Sequence, residues 1–89
     1  MEGEISMNRE RWVIKTNQGR YVGIPYMLGS GFKSFLDEKP VWNKTRTFAT
    51  EVEAVTALDK YISPHDPHYV DRYSFREGEK LSSVEKVLV

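Results

Sequence analysis

The chain has 89 residues, room for one small domain with one modest core. Its 13 basic and 13 acidic residues cancel, which argues against coating nucleic acid or an acidic membrane by bulk electrostatics. It has no cysteine, so a disulfide framework and a thiolate metal site are excluded.

Residues 1–8 are acidic and lack the basic and apolar regions of a signal peptide. They are expected to form a disordered extension, with Met7 a candidate start, ahead of a single domain over 9–89. No apolar run approaches the roughly 20 residues of a membrane span. A cytoplasmic protein without membrane contact is the expectation.

Arg11 to Thr16 is rich in aromatic and β-branched residues and reads as a strand, with Trp12, Ile14 and Thr16 on one face. Asn17-Gln18-Gly19 supplies turn chemistry, and Arg20 to Ile24 returns as the second strand of a hairpin that Pro25 ends. Residues 26–40 are the least regular stretch. Tyr26-Met27-Leu28 is apolar, Gly29-Ser30-Gly31 reads as a flexible break, and Asp37-Glu38-Lys39-Pro40 as a turn. Val41-Trp42-Asn43 and Arg46-Thr47-Phe48 can each form a short strand.

The strongest local signal is a helix over 50–62. Thr50 is a good N-cap, and Glu53 three residues on completes a capping box. Glu51 and Glu53 suit the positive end of the helix dipole and Lys60 the other end. Ala54, Ala57, Leu58, Tyr61 and Ile62 share one face, with Val55 at its edge, so a sheet is expected beneath them. Ser63-Pro64 stops the helix. Pro64 to His68 reads as a stiff loop, and Tyr69 to Phe75 alternates as a strand. Glu77-Gly78-Glu79 reads as a turn, and Val84 to Val89 as a last strand. Ser82 with Glu85 could cap a helix there, but too few residues follow to sustain one. The expected fold class is α+β: a small antiparallel sheet of four or five strands with one helix packed across one face. The expected core is Trp12, Ile14, Val22, Ile24, Phe48, Ala54, Leu58, Tyr61 and Ile62.

Several of these segments, namely Trp12-Val13-Ile14-Lys15, Gly19-Arg20-Tyr21-Val22, Val41-Trp42, and Thr47-Phe48-Ala49-Thr50 with Glu53-Ala54, stand in a telling order. In that order the chain resembles small uncharacterised proteins of phages and prophages of Gram-positive bacteria, over residues 11–62. The resemblance implies an antiparallel sheet carrying one helix. It carries over no catalytic residue.

Five stretches could hold chemistry. His65-Asp66-Pro67-His68 with Asp71 offers imidazoles and carboxylates, but the spacing matches no known ligand set, and an exposed loop accounts for it. The same residues could form an acid–base dyad, yet no nucleophile sits in a recognisable turn and a domain this small leaves little pocket volume. Gly29-Ser30-Gly31 with Lys33 lacks the helix and the remaining residues of a phosphate loop. No enzyme and no cofactor is therefore expected. Aromatic and basic residues interleave at Lys33, Lys44, Arg46, Arg72 and Tyr73, a pattern that suits single-stranded nucleic acid by stacking and phosphate contact. Tyr26, Met27, Phe32, Phe35 and Trp42 lie in a segment with neither strand nor helix period. They are interface candidates for an unknown protein partner or a homodimer, or else loop residues tucked over the core. A non-enzymatic binding protein acting through protein contacts is the expectation, with a nucleic-acid module as the alternative.

Overall fold

The computed structural model describes residues 9–41 and 43–88. The expectations for the extension 1–8, for Trp42 and for Val89 lie outside these residues. The described chain is α+β. Its elements are β1 (Glu10–Thr16), β2 (Tyr21–Val22), β3 (Tyr26–Leu28), β4 (Gly31–Lys33), β5 (Leu36–Asp37), α1 (Glu51–Tyr61) and β6 (Leu81–Leu88). Four strands form an antiparallel sheet in the order β5-β2-β1-β6, and β3 pairs with β4 in a separate two-stranded sheet.

The long contact is β1 against β6, antiparallel from Glu10↔Leu88 to Thr16↔Leu81, with one irregularity between Lys15 and Thr16. The first hairpin forms as its turn residues require. Gly19 adopts φ +82°, and Thr16 N–H donates to Arg20 O at 2.8 Å. Beyond β2 the β1 edge is continued by Phe48, which exchanges two 2.8 Å backbone bonds with Trp12.

α1 begins as its cap dictates. Thr50 Oγ1 accepts from Glu53 N–H at 3.2 Å, while Glu53 Oε1 accepts from Ala49 N–H at 3.1 Å, so the box closes one residue further out. The helix packs across β1 and β6. Ile14, Val22, Phe48, Ala54, Tyr61, Val70 and Leu81 form the core, with Trp12, Phe32, Leu36, Leu58 and Val84 packed against it. Val13, on the other face of β1, is also fully buried.

Four expectations need correction. Ile24 is exposed rather than core, because Gly23 leaves the strand, wedged by its backbone between Phe35 and Lys44, and carries Ile24 outward. Ile62 is exposed because it is the C-cap, at ψ 0°, and no longer follows the helical face. Residues 69–75 form no strand: β2 and β6 already flank β1, and the segment is tied down piecemeal. Val70 N–H donates to Tyr61 O at 3.1 Å, and Arg72 makes a single parallel bridge to Lys33. Residues 43–48 form no strand, since Lys44 and Thr45 N–H both turn back to donate to Val41 O, at 2.9 and 2.8 Å. Isolated bridges remain at Gly23↔Thr45 and Trp12↔Phe48.

Candidate functional site

Residues 26–33 are regular after all. The Gly29-Ser30-Gly31 stretch is not a flexible break but the tight end of a hairpin, with register Tyr26↔Lys33, Met27↔Phe32 and Leu28↔Gly31. Two residues close the loop. Gly29 takes φ +67° while Ser30 does not have positive φ, the signature of a turn with glycine at its first central position. The hairpin is anchored on its β4 side. Ser34 N–H donates to Arg72 O at 3.1 Å, and the fully buried Ser34 Oγ donates to Gly23 O at 2.6 Å.

Of the candidate interface residues, Tyr26 and Met27 on the hairpin and Phe35 just after it stand in the open. Tyr26 is 37% exposed, Met27 67%, Leu28 43% and Phe35 57%, and Ile24 beside them is 52% exposed. Tyr26 and Phe35 stack at 5.7 Å between centroids, and the Lys33 ammonium lies 5.5 Å over the Phe35 ring. Ile24 and Phe35 also wall a shallow groove of about 470 Å³ that reaches Asn43 and Lys44. Phe32 departs from the set. Its side chain is half-buried and packs against the core, so it helps to anchor the hairpin. Ile24 and Leu28 join the surface instead. Leu28 was legible as part of an apolar triplet, whereas nothing in the sequence marks Ile24 as leaving its strand.

The nucleic-acid candidates are only partly brought together. Lys33 and Arg72 are joined by their backbone bridge, and Arg72 Nε lies 3.8 Å from Asp71 Oδ1. Lys44 lines the same groove as Phe35. Arg46 sits elsewhere: its guanidinium is 4.5 Å over Phe48, in a groove along α1. Tyr73 is half-buried, stacks on Phe75 at 4.8 Å, and its hydroxyl has no partner among the described residues. Burial pushes that hydroxyl's pKa up.

The histidine loop reads as a turn. His68 N–H donates to Asp66 Oδ1 at 2.8 Å, and His68 Nδ1 is 3.3 Å from the same oxygen. Among the described residues no group of three or more His, Asp or Glu is placed to hold a metal ion. No described helix is long and apolar enough to cross a membrane.

One polar cluster had no signal in the sequence. Glu79, its side chain fully buried, receives four donors. Thr16 Oγ1 and Arg20 Nε meet Oε2 at 2.6 and 3.0 Å, while Arg20 Nη2 and Arg76 N–H meet Oε1 at 2.6 and 2.9 Å. Arg20 beside it holds the Glu79 carboxyl down at about 2. Asn17 Nδ2 donates to Gly78 O at 3.0 Å and Gln18 Nε2 to Glu77 O at 2.9 Å, so the turns at 17–19 and 77–79 lock together. Both carboxylate oxygens of Glu79 are engaged within the fold, which makes the cluster a structural clamp.

The chain matches no protein-family model, no curated protein and no solved structure.

Proposed function

We propose that this chain is a non-enzymatic binding protein, of phage or prophage origin and acting in the host cytoplasm, that engages protein through the apolar surface of the β3–β4 hairpin. The observation that carries the reading is that Tyr26, Met27 and Leu28 of β3, with Ile24 and Phe35 flanking the hairpin, are all large, apolar and exposed, on a segment whose backbone is anchored. Exposed large apolar groups collected in one short stretch of a small domain mark contact sites. Tyr and Phe supply contact area at low entropic cost. The phage origin rests on the sequence resemblance alone.

Affinity capture from a bacterial lysate tests it, with wild-type chain beside Phe35→Ala and with and without nuclease. The expected result is a captured protein that survives nuclease and is lost with Phe35→Ala. Capture that Phe35→Ala leaves untouched would move the contact elsewhere.

Single-stranded nucleic acid is the second reading, favoured by the Lys33 ammonium lying over Phe35 of the stacked Tyr26–Phe35 pair. It predicts capture that nuclease abolishes and that falls steeply with salt, whereas an apolar protein contact changes little.

A further inference from the structure

The backbone of β3 points to a particular occupant for this hairpin. We propose that a second copy of the chain binds there, its β3 pairing antiparallel with β3 about a twofold axis at Met27; this rests on the reading of the hairpin as a contact surface.

Hydrogen-bond direction carries the argument. In a two-residue hairpin the pair closing the loop, here Leu28↔Gly31, exchanges hydrogen bonds, and successive pairs alternate. Met27↔Phe32 is then the non-bonded pair, and the N–H and C=O of Met27 point away from β4. The other side of the hairpin agrees: Ser34 N–H, two residues after Phe32, turns outward to Arg72 O. The 72 segment thus covers the free edge of β4. Among the described residues Met27 has no backbone bond outside its hairpin, so β3 is an open edge.

Natural open edges carry charge, proline or bulges that stop a second strand from adding. Pro25 stands just before β3, and β3 itself carries three large apolar residues in succession with no charge, proline or bulge among them. A twofold axis at Met27 makes the strand complementary to itself. Met27 exchanges two hydrogen bonds with Met27 of the second copy, and each Tyr26 sits opposite a Leu28.

Size and charge are consistent with this. At about 200 Å² for a large side chain, the exposed fractions of Tyr26, Met27 and Leu28 amount to roughly 300 Å² per copy. Edge-to-edge pairing buries at most about 600 Å² of side chain in all, the range of a weak, reversible contact, so the backbone bonds at Met27 carry much of the association. The chain has no net charge to oppose association. The two Lys33 residues would stand three strand spacings apart, about 14 Å, beyond the range of unscreened repulsion.

Sedimentation equilibrium from micromolar to millimolar concentration tests the proposal on the full chain, Met27→Lys and Met27→Pro. Lysine places two like charges at the axis, and proline removes the Met27 N–H, which the hairpin does not use. Both should weaken dimerisation by about tenfold or more with unchanged circular dichroism. If proline disturbs the hairpin, Met27→Cys replaces it. The chain has no other cysteine, and a hydrogen-bonded antiparallel pair stands about 5.5 Å apart, within disulfide range. Mild oxidation should cross-link Met27→Cys but not the equally open Val52→Cys on α1. A monomer at all concentrations, or a dimer indifferent to these changes, overturns the proposal. Lysate capture with Met27→Lys then separates the two readings: lost capture leaves the hairpin as a contact for another protein, and retained capture overturns that as well.

Discussion

Replacing Glu79 with glutamine tests the clamp that joins the first turn to the last. The carboxylate receives two donors on each oxygen, from Thr16 and Arg20 on one and from Arg20 and Arg76 on the other. A carboxamide can accept on one oxygen only, and its NH2 would face two donors. Glu79→Gln also leaves the Arg20 charge, whose side chain is 12% exposed, without its counter-ion. The Glu79 pKa falls from 4.5 to about 2 on folding. At 1.36 kcal/mol per unit, that is about 3 kcal/mol of stability from ionised Glu79 at pH 7. Such a loss is a large share of the few kcal/mol expected of a domain this size.

The pH dependence isolates this term. A carboxyl with a depressed folded pKa stabilises fully above its unfolded value, and the contribution is lost as pH falls through the folded value. The stability difference between wild type and Glu79→Gln should therefore be about 3 kcal/mol at pH 7, fall by more than half by pH 3, and level off below pH ~2. Urea denaturation of both proteins at several pH values measures it. A difference that stays constant from pH 7 to pH 3, or that is below about 1 kcal/mol at pH 7, would refute the argument that Glu79 is ionised and held by Arg20.

Thr50→Ala should cost about 1 kcal/mol in denaturant midpoints, since it removes the acceptor for Glu53 N–H. Ile14→Ala, at a fully buried position, should cost about 3–4 kcal/mol, while Val52→Ala, 74% exposed on α1, should cost almost nothing. Gly23→Ala would set its Cβ 3.1 Å from both Lys44 O and Phe35 O, which are backbone atoms with little freedom to yield, and should cost about 1–3 kcal/mol. Phe35→Ala should change thermal stability by less than about 1 kcal/mol, because its ring lies on the surface; a larger loss would make the ring structural.

What could be read from the sequence was what neighbouring residues decide together. Thr50 and Glu53 lie three apart, so the helix start was plain, and Pro64 placed its end within a turn. Trp12, Ile14 and Thr16 alternate, and Gly19 follows at turn distance, so the first hairpin was plain as well. Tyr69 to Phe75 alternates just as cleanly yet forms no strand, because alternation describes a strand and says nothing of whether a sheet edge is free to receive it. Tyr26 to Lys33 showed the opposite error. Gly29-Ser30 was read as a break although two residues with glycine first are a sufficient hairpin turn. Glu79 meets Arg20 across 59 positions, and no local pattern connects residues so far apart.

The position of the hairpin explains why its apolar residues can serve contact rather than folding. The core closes among β1, β2, β6, α1 and the buried Val70, and the hairpin gives it Phe32. Tyr26, Met27 and Leu28 are therefore not needed to satisfy that core, and polar residues there would leave it intact. Their surroundings nonetheless hold them still: Gly29 fixes the turn, Ser34 ties the strand end to Gly23, and the 72 segment closes the β4 edge. An apolar surface that is already ordered loses little entropy when it is covered, so even a modest contact area yields usable affinity. Rigid anchoring beneath and open apolar area above is the arrangement that the proposed contact requires.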